Sequence, residues 1–513
     1  MKMRNNHKGF RSFIFAVLTT ILFSLTMMPL YGVAATWYVA PADAGGDDSN
    51  SGTGWGAGEP FATIQRGVLF ASSNANDVVL VSNGTYVFYS EVQITAGITV
   101  RSLEGRSKTF INCNYPDSQN RGFYLRHTDA LLEGFTISNA YAINDDGGAV
   151  LVEKGLVRDC RMTRSWGNRG SGVYIESDGI VSNCLIDLND QEPLAGYGGG
   201  VENVGGLITD SQIISNKSRS YGGGIYLRDG GTISNSLITG NKSTNSYGGG
   251  IATRGIVNVY NCQIISNEAP VQRGGGICFA YGPGGVVADS LIADNSSGLH
   301  GGGIILDGTE VYNCQVINNT ATDSGGGMST TVAGSTNYVR NCLIAGNVSL
   351  SSSYGGGGMY VGMGTVAFVE NCTIVSNSAP NKRAGGIYVY RGGLNIGNSI
   401  ITSNTASETT YSEWIGTSGT NAFTNCLMYS LTQTVVLPGV SNITDKPAGF
   451  VQASDGNYRL SSDSPCVNAG RNQPEWMENA RDLDGRPRLD PFTRQVDIGC
   501  YEYLSSGSFF YLR

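Results

Sequence analysis

The chain has 513 residues and a formal net charge of −8, with 14% charged residues, 40% hydrophobic residues and 73 glycines. Glycine is about twice as abundant as in an average domain, yet no Gly-X-Y period runs through it, which excludes collagen. The acidic balance and the lack of a basic stripe argue against a nucleic-acid partner.

Residues 1–35 read as an export signal. Lys2, Arg4, Lys8 and Arg11 form a basic start, Phe13 to Leu30 is mostly apolar, and Val33-Ala34-Ala35 offers small residues for cleavage. Thr19, Thr20, Ser24, Thr26 and Pro29 interrupt the apolar stretch and favour a signal peptide over a membrane anchor. No later segment is apolar enough to span a bilayer, so the expected mature chain is exported, extracellular or on the outer cell surface. Residues 36–94 are expected to form an N-terminal cap of strands and a helix. Trp37-Tyr38-Val39 starts a strand, Pro60-Phe61-Ala62-Thr63-Ile64-Gln65 opens an amphipathic helix running to about Ala71, and Asp77 to Val81 is a second strand.

Residues 95–435 carry a repeat. Its first phrase is Asn/Asp, Cys/Ser, any residue, an aliphatic residue, two more residues and Asn, as in Asn261-Cys262-Gln263-Ile264-Ile265-Ser266-Asn267. The Cys/Ser position recurs at 160, 184, 211, 236, 262, 290, 314, 342, 372, 399 and 426, so the period runs from 24 to 30 residues. A second phrase, a glycine run followed by an aliphatic residue, lies between the first ones, as in Gly222-Gly223-Gly224-Ile225 and Gly248-Gly249-Gly250-Ile251. Short apolar alternations bounded by Gly, Asn and Ser predict strands, and this glycine density is hostile to helices. Strands this short cannot bury a face alone. Stacked at about 4.8 Å per coil they can, and the architecture predicted is an all-β right-handed parallel β-helix of about a dozen coils.

Stacking predicts columns. Asn216, Asn241, Asn267, Asn295, Asn319, Asn347, Asn377 and Asn404 should pile into an amide ladder. Asparagine also tolerates the left-handed conformation that the turns require. Cys160, Cys184, Cys262, Cys314, Cys342, Cys372 and Cys426 should alternate with Ser211, Ser236, Ser290 and Ser399 in a column of small inward side chains, as free thiols rather than disulfides. The residue before each glycine run forms another column: Asp146, Arg169, Tyr197, Tyr221, Tyr247, Arg273, His300 and Ser324. Tyr197, Tyr221 and Tyr247, with Tyr226, Arg228 and Arg254 on the adjacent strands, are candidates for a carbohydrate platform that Arg273 and His300 extend. Tyrosine pairs an apolar face with a polar tip, which suits a polyhydroxylated ligand. The competing reading is a tyrosine stack that only covers the glycine turns.

The opening, with its Tyr-Val strand, Phe-x-Thr-Ile-Gln helix and Gly84-Thr85-Tyr86 turn, resembles bacterial secreted proteins of the pectin-lyase-like β-helix fold. The Ile-x-x-Asn and Gly-Gly-x-Ile phrases resemble the repeats of polymorphic outer-membrane proteins. Within residues 436–513, Ser464-Pro465-Cys466-Val467-Asn468-Ala469-Gly470, Asp482-Leu483-Asp484-Gly485-Arg486-Pro487-Arg488 and Asp497-Ile498-Gly499-Cys500-Tyr501-Glu502 resemble a choice-of-anchor Q tail. Cys466 and Cys500, one in each half of that tail and off the repeat ladder, are expected to form a disulfide.

Chemistry is sparsely signalled. Of three histidines His7 lies in the signal, leaving His127 and His300, so neither a zinc site nor a Ser-His-Asp triad is supported. No metal site is expected. Asp482 and Asp484 read as turn residues rather than a calcium loop. No cofactor is expected, calcium entering only if the chain is a lyase, whose recipe on this fold is calcium-binding carboxylates with an Arg or Lys base. Asp145 and Asp146, the Asp187 to Glu192 loop and Glu202 are the acids that would have to cluster for catalysis, and nothing in the sequence holds them together. The leading expectation is a surface or exported protein that binds a polysaccharide or cell-surface glycan without catalysis. The alternatives are a polysaccharide lyase or glycoside hydrolase, and a structural or adhesin-like protein.

Overall fold

The computed structural model describes residues 34–503, except 192–195, 280–281, 283, 409–411 and 431–436. Most of the segment expected to be a signal peptide lies outside the described residues. The architecture is the right-handed parallel β-helix, and the repeats stack in strict register. Val201 pairs with Ile225, then Ile251, Ile277, Ile304, Met328, Met359 and Ile387, one residue per coil. Every one of these side chains is fully buried. A typical coil has four short strands, such as Val201–Asn203, Leu207–Thr209, Gln212–Ile214 and Lys217–Ser218.

The first coil would expose an open apolar end. The helix Ile64–Ala71 lies over it, capped at its start by the Thr63 hydroxyl, which accepts from the Arg66 N–H. Ile64, Gly67, Val68 and Ala71 are its buried face. Gly67 is dictated by closeness: a Cβ there would meet Val79 Cγ1 at 2.7 Å.

The amide ladder runs unbroken from Asn189 to Asn404. At each step the Oδ1 of one asparagine accepts both the backbone N–H and the Nδ2–H of the asparagine one coil earlier, at 2.9–3.1 Å. Each Nδ2 also donates to a strand carbonyl, as Asn295 does to Ile264 at 2.8 Å. The amides fill the space beside the third glycine of each run. A Cβ on Gly276 would lie 2.7 Å from the Gly303 carbonyl oxygen and 3.0 Å from Asn295 Nδ2. After Asn404 the ladder stops, and the residue stacked on Gly386 is Glu413. Its carboxylate reaches into the vacated amide position and accepts Asn404 Nδ2 at 2.7 Å.

One turn expectation is corrected. The ladder asparagines do not carry the left-handed backbone; the leading Asn/Asp of the phrase does, with φ of 49° at Asn261, 51° at Asp289 and 54° at Asn313, and so does the residue just before the ladder asparagine, with 54° at Ser215, 55° at Ser266 and 56° at Asn318. The chain reverses just before the Cys/Ser column, and Asn and Asp tolerate that conformation best after glycine.

In that column the serines take over from the thiols: Cys184 N–H donates to Ser211 Oγ at 3.1 Å and Cys262 N–H to Ser290 Oγ at 3.0 Å. All ladder cysteines are buried free thiols. The C-terminal region packs on the side of the coils: Gly499 N–H donates to the Asn398 carbonyl at 2.8 Å and Cys500 N–H to Thr373 Oγ1 at 3.2 Å. Fully buried Arg488 faces Glu502 at 3.1 Å beneath it. The disulfide expected between Cys466 and Cys500 is not formed. Cys466 is buried with Ile400 and Leu427, whereas Cys500 is buried with Leu343 and Val375, so each thiol points into a different apolar cluster. Asp482 is a turn residue, its carboxylate accepting the N–H groups of Asp484, Arg486 and Glu502 at 2.7–2.9 Å. No helix among the described residues is long and apolar enough to cross a membrane.

Candidate functional site

The glycine runs position the outward-facing column. The first glycine of each takes positive φ, 64° at Gly198, 67° at Gly222 and 70° at Gly248, and turns the preceding side chain outward. Tyr197 and Tyr221 stack with ring centroids 5.5 Å apart at 20°, and Tyr221 and Tyr247 at 5.7 Å and 10°. Tyr226, the middle residue of Ile225–Leu227, lies 5.3 Å from Tyr197 and 5.6 Å from Tyr221. These rings spend their faces on one another. A coil spacing of about 4.8 Å is little more than the thickness of one ring, so mainly edges and hydroxyls face solvent and the expected face-on sugar platform becomes an edge-on row of phenols.

Beside that row sits a buried charge cluster. Tyr174, Glu202 and Tyr226 are in register on successive coils. Glu202 is fully buried, and neither carboxylate oxygen has a hydrogen-bond partner. Arg228 Nη1 lies 3.0 Å from Glu202 Oε1, an ion pair without hydrogen-bond alignment, while Nη2 donates to Tyr174 Oη at 2.9 Å. Arg169 packs over the same Tyr174 ring and donates to Asp146 Oδ1 at 2.7 Å. Burial pushes Glu202 up to about 8, opposed by Arg228 and Arg169. Burial raises Asp146 as well, opposed by Arg169. A carboxyl held neutral near pH 7 next to two guanidiniums can both donate and accept hydrogen bonds.

The structure therefore brings Tyr197, Tyr221, Tyr226, Arg228 and Glu202 together with Asp146, and Tyr247 continues the row. Arg254 lies exposed one coil beyond Arg228, where its charge opposes the rise that burial imposes on the Tyr226 hydroxyl. Arg273 and His300 belong to a second group farther along. His300 Nδ1 is 2.8 Å from Ser324 Oγ and 3.5 Å from Asp323 Oδ2, and its ring lies parallel to Tyr360 at 6.0 Å. Burial lowers the His300 pKa, against the pull of Asp323. Arg273 donates to Thr331 Oγ1 at 3.4 Å. The Asp187 loop does not join the acids: Asp187 is held by Arg161 at 2.6 and 2.9 Å, and Glu192 lies outside the described residues. Tyr174 and the aromatic group of Tyr354, Tyr360, Tyr388 and Tyr390 were not anticipated. The signal was present, since Gly-Ile-Tyr, Gly-Met-Tyr and Gly-Val-Tyr place a tyrosine in one phrase position at 226, 360, 388 and 174. No three His, Cys, Asp or Glu side chains among the described residues are grouped to hold a metal ion.

A family model for the right handed beta helix region matches residues 96–264, 200–361 and 253–428. No curated protein matches the chain. Solved structures similar to it include pectate lyase Pel9A, 16% identical over 92% of this chain and 97% of that one with a TM-score of 0.40. The catalytic unit of a thermostable α-1,3-glucanase from Streptomyces thermodiastaticus is 13% identical over 75% and 71%, with a TM-score of 0.43. The A-module of the Azotobacter vinelandii mannuronan C-5 epimerase AlgE6 is 13% identical over 75% and 94%, with a TM-score of 0.35.

Proposed function

The chain belongs to the family of right-handed β-helix regions, and on that premise we propose that it is an exported protein that binds a glycan chain lying along the helix axis over the Tyr197–Tyr221–Tyr247 row. The phenol row carries this reading: tyrosines stacked at coil spacing present edges and hydroxyls along the axis beside Arg228, which is anchored on the buried Glu202 at 3.0 Å. A hydroxyl-rich ligand can exchange hydrogen bonds with those hydroxyls, and the row repeats along the axis as a linear polymer does. Arg228 and Arg254 supply donors for ring oxygens and hydroxyls. The basic start and apolar stretch of residues 1–35 support export.

The test is affinity electrophoresis across a polysaccharide panel. The wild-type chain is expected to be retarded by at least one neutral or acidic polymer. Replacing Tyr197, Tyr221 and Tyr247 together by alanine should abolish the retardation, and Arg228→Ala should weaken it roughly tenfold. Full retardation of the triple variant sinks the site.

A second reading, catalysis, is favoured by one observation: Glu202 is pushed up to about 8 and is thus protonated near neutrality, as a general acid must be. Release of reducing or unsaturated sugar ends by the wild type, lost in Glu202→Gln, would select it over pure binding.

A further inference from the structure

A separate cleft of about 420 Å³ opens at the capped end of the helix, lined by Tyr89, Glu91, Asn120, Arg121, Tyr141 and Asp145 among others. Its floor is Arg121, whose side chain is only 3% exposed. The guanidinium is built in from three sides. Nε donates to the carbonyls of Asp146 and Gly147 at 2.9 and 3.0 Å, Nη1 donates to Glu91 Oε2 at 2.8 Å, and the Tyr124 ring lies against it. Its Nη2 is 2.9 Å from Asp145 Oδ2 but forms no hydrogen bond, and the neighbouring Asn120 Oδ1 is likewise buried without a partner. The cleft therefore holds a buried acceptor without a partner, Asn120 Oδ1, next in sequence to a guanidinium whose outer nitrogen is ion-paired but not hydrogen-bonded. Native interiors seldom leave such atoms unsatisfied unless something else binds there.

One wall is aromatic. Tyr141 stacks on Tyr115 at 4.3 Å and 14°, which fixes its ring, and Tyr89 stands 73% exposed at the mouth. The charges do not balance: Glu91 and Asp145 outnumber Arg121, whose charge their carboxylates already share. The outer acceptors therefore favour a cation and repel an anion. Cleft size and the combination of aromatic and polar groups match a single sugar ring.

We infer that this cleft is a second binding site, selective for a sugar unit bearing a protonated amine. The ring would pack against Tyr141, its ammonium between Glu91 and Asp145, and a hydroxyl would bridge Asn120 Oδ1 and Arg121 Nη2. The choice of a sugar as ligand class rests on the glycan reading of the tyrosine row; the charge selectivity does not.

The experiment is saturation-transfer NMR on the full chain with glucosamine, glucose and glucuronate, at mildly acidic pH where the amine is protonated. Glucosamine is expected to bind roughly fivefold more tightly than glucose, and glucuronate not at all. Glu91→Gln with Asp145→Asn should erase the preference for glucosamine, and Asn120→Ala should weaken both sugars. Because Arg121→Ala threatens folding, it is not the deciding variant. The tyrosine triple variant should bind glucosamine as wild type does. Glucosamine binding without any polysaccharide retardation would leave this cleft standing and remove the tyrosine row. Glucuronate binding as strong as that of glucosamine, no difference between glucosamine and glucose, or a preference unchanged in the Glu91/Asp145 variant would overturn the inference.

Discussion

The turn that carries the asparagine ladder and the face that carries the tyrosine row are built from the same coils, yet they obey opposite rules. Along the ladder one residue type repeats from Asn189 to Asn404, and each amide finds partners above and below. Along the strand next to that row the middle residue changes from coil to coil, through Tyr174, Glu202, Tyr226, Ala252, Cys278, Ile305 and Ser329, before tyrosine repeats at Tyr360 and Tyr388. Glu202 and Ser329 in this column carry buried oxygens without a hydrogen-bond partner, whereas no ladder amide does. Repetition satisfies polar groups because each coil presents what the next one needs. Where repetition breaks, a buried polar group can be left without that partner, as Glu202 and Ser329 are.

The sharpest way to break the comparison is to puncture the ladder. Asn295→Ala strips Asn267 of the acceptor for its N–H and Nδ2–H, and strips the Ile264 carbonyl of its donor. Leaving such buried groups unpaired should cost about 3 kcal/mol. Gly276→Ala attacks the same place from the other side, since its Cβ has only 2.7 Å to the Gly303 oxygen, and should cost about 2 kcal/mol. Denaturant unfolding followed by far-UV circular dichroism measures both. Substitutions as large on the tyrosine face, such as Tyr247→Ala, should shift the same curve by less while removing polysaccharide binding.

The contrast also explains what could be read from sequence. Cys/Ser, Asn and glycine columns were legible because a column repeated at each coil announces its own spacing. The left-handed positions were not, because a phrase with asparagine at both ends does not say that its first residue and the one before its last take that conformation. Glu202 was visible only as a scattered acid. Its partners sit one coil on, at Arg228, and one coil back, at Tyr174, itself 54 residues from Arg228. Long side chains lean across coils, and one-dimensional spacing does not record the lean. Ring orientation was equally hidden. Three tyrosines at coil spacing are compatible with faces turned outward or with faces stacked, and packing selects the stack because it buries more apolar surface.

A smaller effect comes from titrating the two buried acids, which belong to opposite sides of the comparison. Glu202 is raised from 4.5 to about 8, and burial also raises Glu413 from 4.5 to about 7 against the hydrogen bonds from Asn404. In both, the folded chain keeps a proton that the unfolded chain has released. The contribution of these two groups to stability is thus greatest below about pH 4.5 and falls as pH climbs through these windows, by at most about 1.4 kcal/mol per pH unit for each group. Glu202→Gln should remove its share of the fall up to pH 8. Glu413→Gln should remove its share up to pH 7 and still cap the ladder, because an amide oxygen accepts from Asn404 as a carboxylate does. Glu413→Gly should instead lose about 1–2 kcal/mol, the Asn404 backbone N–H being left unpaired while its Nδ2 keeps only the Ile374 and Thr402 carbonyls. Thermal melts across pH 4–8 separate these outcomes; identical slopes in wild type and both glutamine variants would refute the assignment.

The smallest effect is expected immediately beside the largest. Lys242 follows ladder residue Asn241 and pairs with Glu268, which follows Asn267, at 2.7 Å. The pair repeats the geometry of the ladder one residue along, but its side chains are 40% and 42% exposed. Water competes for both ions and salt screens them, so the short distance confers little stability. Lys242→Ala should change stability by no more than about 0.5 kcal/mol, while Asn241→Ala loses several times as much. Adjacent residues in one strand turn, with hydrogen bonds of similar length, thus differ only in whether water can replace the partner. A large loss from Lys242→Ala would mean that stacking at coil spacing stabilises whatever it aligns. A negligible one assigns the stability of this turn to the buried amides.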